Sequence, residues 1–198
     1  MRRISKNNKK GFTLLEMMLS IAIILMISGL TVILIVSIKQ SFMTVYNQND
    51  SADYAMLFGR GFEQSFLDKV VNEHTDSTFK YQVNEVGSGA YRLQCNGNTV
   101  FNPARSRTAN DTKDKWLIKM GYKWDETRNM VYYRVYVWDN YYNPGKFVYV
   151  YEDGFMLPHF SDAIGEISLS GSSILSSGND GYQSDDGVYK SAFTFKAA

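Results

Sequence analysis

The chain has few of the residues that perform chemistry and few of those that lock a fold covalently. Cys95 is the single cysteine in 198 residues, so no intrachain disulfide can form, and its most natural place is as a small core side chain. His74 and His159 are lone histidines without a Cys or His at ligand spacing, and no Gly-x-Ser-x-Gly, phosphate-loop or zinc pattern occurs. Neither a catalytic site nor a cofactor is therefore expected, and an enzyme is not the reading. Proline is limited to three residues. Charge is missing altogether between Glu16 and Lys39, and that gap is the most informative absence of all.

What fills the gap is an apolar run from Met17 to Ile38, 22 residues in which only Ser20, Ser28, Thr31 and Ser37 are polar. As a helix it would extend about 33 Å, enough to cross a hydrocarbon core of about 30 Å. A secretory signal peptide has a shorter apolar core, roughly 7 to 15 residues, followed by a small-residue cleavage site, and neither fits. Arg2, Arg3, Lys6, Lys9 and Lys10 precede the run and Lys39 alone closely follows it, so the positive-inside bias places the N-terminus in the cytoplasm and residues 40–198 outside. Glu16 stands at the edge of that run, just inside the expected helix, where a carboxylate is costly and usually has a partner. Cutting after Gly11 would turn the backbone nitrogen of Phe12 into a cation four residues from Glu16, and the terminus of a neighbouring copy could pair with it equally well.

At Gly11, Phe12, Thr13, Leu14, Leu15 and Glu16 the chain resembles the type IV pilins and pseudopilins, whose short basic class III leader ends in Gly before Phe-Thr-Leu-x-Glu. The resemblance covers roughly residues 6 to 38. It implies cleavage between Gly11 and Phe12 by a prepilin peptidase, N-methylation of Phe12, and a role for Glu16 in neutralising the N-terminal amine of an adjacent subunit during assembly. The partners implied are the peptidase, other pilin or pseudopilin subunits, the cytoplasmic membrane and the assembly platform, with DNA or a secreted substrate met only indirectly. Many major pilins carry a proline in the middle of this helix. Here the corresponding stretch, Ile27 to Val36, has only Gly29 as a weak helix former, which points to a minor subunit of a pilus, competence or secretion system. The absent disulfide excludes the clamped C-terminal loop common among Gram-negative pilins.

Loss of the leader would remove five of the 21 basic residues and none of the 20 acidic ones, leaving a mildly acidic product without the basic footprint of a nucleic-acid binder. Past the span, Phe42, Val45, Tyr46, Met56, Phe58, Phe62, Phe66 and Val70 keep a helical rhythm, one apolar stripe expected to pack under a sheet. Gly59 and Gly61 lie within it as a candidate break. From Thr78 the period changes to two, with expected strands at 79–83, 91–95, 99–101, 116–124, 130–138, 146–152, 164–169 and 188–195. Asn96-Gly97-Asn98 reads as a turn and residues 102–115 as an exposed loop, and a meander is the natural arrangement of the strands up to residue 152, with the last two offered in addition.

The expected class is therefore α+β, a long N-terminal helix on an antiparallel β-sheet head. Its expected parts are residues 1–11 as leader, 12–38 as transmembrane and assembly helix, 39–72 as amphipathic continuation and 73–198 as head. An alternative is a signal-anchored extracellular binding protein, with Trp124, Tyr132, Tyr133, Tyr136, Trp138, Tyr141, Tyr142, Phe147, Tyr149 and Tyr151 as an aromatic recognition face. Asn179, Asp180, Asp185 and Asp186 form an oxygen-rich loop, a weak calcium candidate without EF-hand spacing. No metal is expected there.

Overall fold

A computed structural model describes residues 13–72, 77–86, 90–102, 114–140, 145–157, 164–173 and 188–197. The chain divides into two compact units, residues 1–46 and 47–198. One helix, α1 (Leu14–Asn72), contributes to both. Among the described residues eight strands follow: β1 (Thr78–Glu85), β2 (Tyr91–Cys95), β3 (Asn98–Phe101), β4 (Trp116–Asp125), β5 (Met130–Asp139), β6 (Phe147–Met156), β7 (Ile164–Ser173) and β8 (Lys190–Ala197).

In the second unit the helix buries a four-step stripe, Tyr54, Phe58, Phe62, Phe66 and Val70, with Ala55 beside it. That spacing is what a helix needs to present one face to a flat partner. The partner is an antiparallel sheet whose strands alternate inward residues: Phe79 and Tyr81, Leu93 and Cys95, Trp116, Ile118, Met120 and Tyr122, Val131, Tyr133, Val135 and Val137, Phe193 and Phe195. Phe62 sits at the centre, edge-on to Tyr81, Tyr133 and Phe193 at ring separations of 5.3, 5.6 and 5.7 Å. The layout is α+β, as expected, and Cys95 lies buried in its core.

Three expectations need correction. Gly59 and Gly61 do not break the helix, which runs through them. A Cβ on Gly59 would lie 2.5 Å from the Tyr133 ring, and one on Gly61 would lie 2.5 Å from the Phe101 ring, so both glycines exist to let the helix approach the sheet closely. The apolar stripe is not continuous: Phe42, Val45 and Tyr46 are exposed and belong to the first unit, and the buried face begins only near Ser51 and Tyr54. The sheet is not a simple meander either. Its order is β3-β2-β1-β8-β4-β5-β6, with β7 also pairing β8, so the last strand enters between two local antiparallel sets. Burial explains the insertion, because Phe193 and Phe195 pack on Phe62 and Phe66 and can be covered only at the centre of the sheet.

The β2–β3 hairpin turns on Asn96 and Gly97, with φ of 50° and 81°, the left-handed pair that a two-residue turn of matching twist requires. Asp114 ties the start of β4 to its surroundings, accepting from Arg92 Nη1 at 2.6 Å and from the Tyr91 backbone N–H at 3.0 Å. The next residues do the same for the helix: Asp50 accepts from Lys115 Nζ at 2.7 Å and from Trp116 Nε1 at 3.1 Å.

Candidate assembly site

The residues with the strongest functional reading lie at the N-terminal end of α1. Gly11 and Phe12 fall outside the described residues, so the expected cut point carries no geometry. Glu16 is described, and it is held. Its Oε2 accepts from the Thr13 backbone N–H at 2.8 Å and from Thr13 Oγ1 at 3.1 Å, while the Glu16 N–H donates back to Thr13 Oγ1 at 3.3 Å. The Met17 N–H bonds to the Thr13 carbonyl at 3.2 Å, the first bond of the helix ladder. Thr13 is therefore the N-cap and Glu16 the third helical residue of a capping box. Sequence reasoning passed over Thr13, although Thr-x-x-Glu ahead of an apolar run is the signature of that motif.

The box fixes two properties together. It starts the helix at Leu14, and it points the carboxylate at the helix entrance rather than along the lipid face, near where the residue preceding Thr13 must attach. A carboxylate so placed satisfies orphan N–H groups and favours positive charge at the same spot. Three hydroxyls of the apolar segment bond back to the helix: Ser20 to the Glu16 carbonyl, Ser28 to that of Ile24 and Thr31 to that of Ile27, each at 2.8 Å. These three polar groups are thus internally satisfied, as a segment in hydrocarbon requires. From Leu14 to Ile38 every large apolar side chain is exposed, on a helix long and apolar enough to cross a membrane.

A model of the prokaryotic N-terminal methylation motif matches residues 6–32, the stretch that holds the end of the basic leader, Gly11, Phe12, the capping box and most of the apolar run. Over that stretch the chain is type IV pilin-like. Among the curated proteins and among the solved structures nothing matches the chain. The motif supports a type IV pilin- or pseudopilin-like subunit, fits a membrane-anchored protein together with the apolar N-terminal helix, and implies prepilin peptidase and other pilin subunits as partners.

In the head, the aromatic residues proposed as a recognition face are divided. Tyr133 lies in the helix-facing core, with Trp124, Tyr149 and Tyr151 packed against it. Tyr136 and Trp138, on alternate positions of β5, are only 2 % and 6 % exposed and stack on each other at 5.9 Å. Lys119 covers the Trp138 ring at 5.3 Å and Lys123 the Tyr132 ring at 5.9 Å. Cations thus already occupy ring faces that a sugar or base would use. Tyr141 and Tyr142 lie outside the described residues, as do His74, His159, Asp180, Asp185 and Asp186. Among the described residues no group of His, Cys, Asp or Glu could hold a metal ion.

Beside those rings, Glu152 accepts from Arg134 Nε at 2.6 Å and from Tyr189 Oη at 2.9 Å, and Arg134 lies over the Tyr189 ring at 4.4 Å. Partial burial opposes ionisation of Glu152, but the two hydrogen bonds and the guanidinium charge outweigh it and hold the carboxyl below its usual range. Burial pushes the phenols of Tyr81, Tyr122 and Tyr133 well up, so each stays neutral inside the core. Every one of these arrangements supports packing, and none aligns a nucleophile with a base.

Proposed function

We propose that the chain is the membrane-inserted precursor of a minor subunit in a type IV pilus, a competence pseudopilus or a type II secretion pseudopilus. Prepilin peptidase cuts between Gly11 and Phe12 on the cytoplasmic side and methylates Phe12, and the mature subunit enters the filament through its N-terminal helix with the head outside the cell membrane. Glu16 pairs with the N-terminal amine of the adjacent subunit. The observation that carries this reading is the Thr13–Glu16 box, a carboxylate held at the entrance of an otherwise uncharged span and inside the matched methylation motif. The subunit works by assembly and not by catalysis.

The absence of proline between Ile27 and Val36 supports a minor role. Mass spectrometry of the protein recovered from its native membrane tests the processing. N-methylated Phe12 at the mature terminus is expected; an intact Met1, or a cut beyond Ser37, would instead favour a signal-anchored binding protein.

A further inference from the structure

Beyond the charge-free run, the first unit carries a second exposed apolar patch. Phe42 is 73 % exposed and Tyr46 65 %, with Met43 and Val45 exposed beside them. Lys39, Phe42, Met43 and Tyr46 follow one another at three, four and seven residues, which places them on one face of α1. We propose that this face is a membrane-interface anchor whose partner is the phospholipid headgroup layer on the side of the bilayer away from the N-terminus.

The dimensions select that partner. Glu16 and Lys39 are separated by about 35 Å of helix, so a span with modest tilt sets one charge at each border of a hydrocarbon core of about 30 Å. Phe42 then rises about 6 Å past Ile38 and Tyr46 about 12 Å, against a headgroup layer roughly 5 to 8 Å deep. Helical side chains lean toward the helix N-terminus, so both rings tilt back toward the bilayer and bring Tyr46 within reach of the layer. Amphipathic rings are favoured at that depth, the phenol hydroxyl remaining wet.

Lys39 argues against a second copy as the occupant. It has no carboxylate partner among the described residues. Burial of this face between helices would strand its ammonium, whereas lipid phosphates pair with it. The inference rests on the membrane-anchored reading, and it adds the residues that set the depth of the helix.

The test uses the full chain, one copy per nanodisc of zwitterionic and anionic phospholipid, with nitroxide labels placed singly at Ser28→Cys, Phe42→Cys, Tyr46→Cys and Glu126→Cys. Native Cys95 is buried, and unmutated chain serves as the control for its labelling. Collision with oxygen and with a water-soluble nickel complex reports depth. The label at 28 is expected deep in lipid, that at 126 in water, and those at 42 and 46 in between, at headgroup depth and in that order. Because a label removes the ring, fluorophenylalanine at position 42 supplies a second reading, its fluorine signal broadened by a headgroup-bound paramagnet. Water-like values at both 42 and 46 with a deep label at 28 overturn the anchor alone, while a water-exposed label at 28 overturns the membrane reading itself. Labels shielded only when several copies share a disc would identify a subunit contact and overturn the lipid assignment.

Discussion

Residues 14–46 and residues 47–197 solve opposite problems with similar side chains. In the first region Leu, Ile, Val and Met point outward from a single helix, and nothing within the unit covers them. In the second, Phe, Tyr, Val and Trp are driven into one core, with Phe58, Phe62, Phe66, Phe193 and Phe195 fully buried. The head closes its apolar surface within the chain. The N-terminal segment leaves its apolar surface to be covered from outside the chain, which is what the proposed passage from membrane to filament would require. Apolar composition alone therefore does not tell core from interface, and the distinction rests on which faces have a partner inside the chain.

Truncating one side chain in each region gives the sharpest contrast. Phe62→Ala removes a ring that contacts Phe66, Tyr81, Tyr122, Tyr133, Phe155 and Phe193, and should cost about 3 to 5 kcal/mol, enough to make the head proteolysed in full-length protein in detergent. Leu25→Ala, on an exposed residue of the span, should leave head proteolysis unchanged. Equal sensitivity of the two variants would dissolve the comparison.

Glycines sharpen it further, because the same substitution should change sign. Gly59→Ala forces a methyl against Tyr133 and should destabilise the head by about 1 to 3 kcal/mol in denaturant titrations. Gly29 has nothing within 4 Å of an added Cβ, so Gly29→Ala should strengthen its helix by up to about 1 kcal/mol, read as higher resistance of helical circular dichroism to sodium dodecyl sulfate.

Much of this was legible beforehand, and the failures have physical causes. The charge-free run, the basic leader and the change of period at Thr78 are local signals, and the strands follow them closely. The central placement of β8 is a long-range pairing that no local pattern announces. Phe42, Val45 and Tyr46 share the helical period of the core stripe, because a helix facing lipid or another subunit needs the same rhythm as one facing a sheet. Gly59 and Gly61 resembled breaks because propensity contains no information about the opposing rings. At the assembly site Glu16 was legible as the unusual charge. Its partner Thr13 was equally visible in the Thr-x-x-Glu spacing, and only the hydrogen bonds gave it a role.

Titration separates the regions more gently. Tyr81, Tyr122 and Tyr133 have raised folded-state pKa values, so the stability they contribute is complete below the ordinary phenol value of 10.0 and is lost as pH rises beyond it. Their tyrosinate absorbance should appear together with loss of head structure, while the span stays helical. Tyr81→Phe and Tyr133→Phe should shift that alkaline transition upward. On the acid side the sign reverses: Glu152 is depressed when folded, so its contribution is present above its ordinary 4.5 and fades as pH falls below it. Glu152→Gln should flatten the stability profile between about pH 5 and pH 3, the smallest effect here because its side chain is half-exposed.

The most direct measurement compares membrane insertion with filament entry for one carboxylate. Glu16→Ala should reach the membrane at the wild-type level, since it removes the only charge within the span region, yet be missing from sheared filaments by at least about tenfold. Incorporation at the wild-type level, with insertion unchanged, would contradict the pairing of Glu16 with a neighbouring terminus.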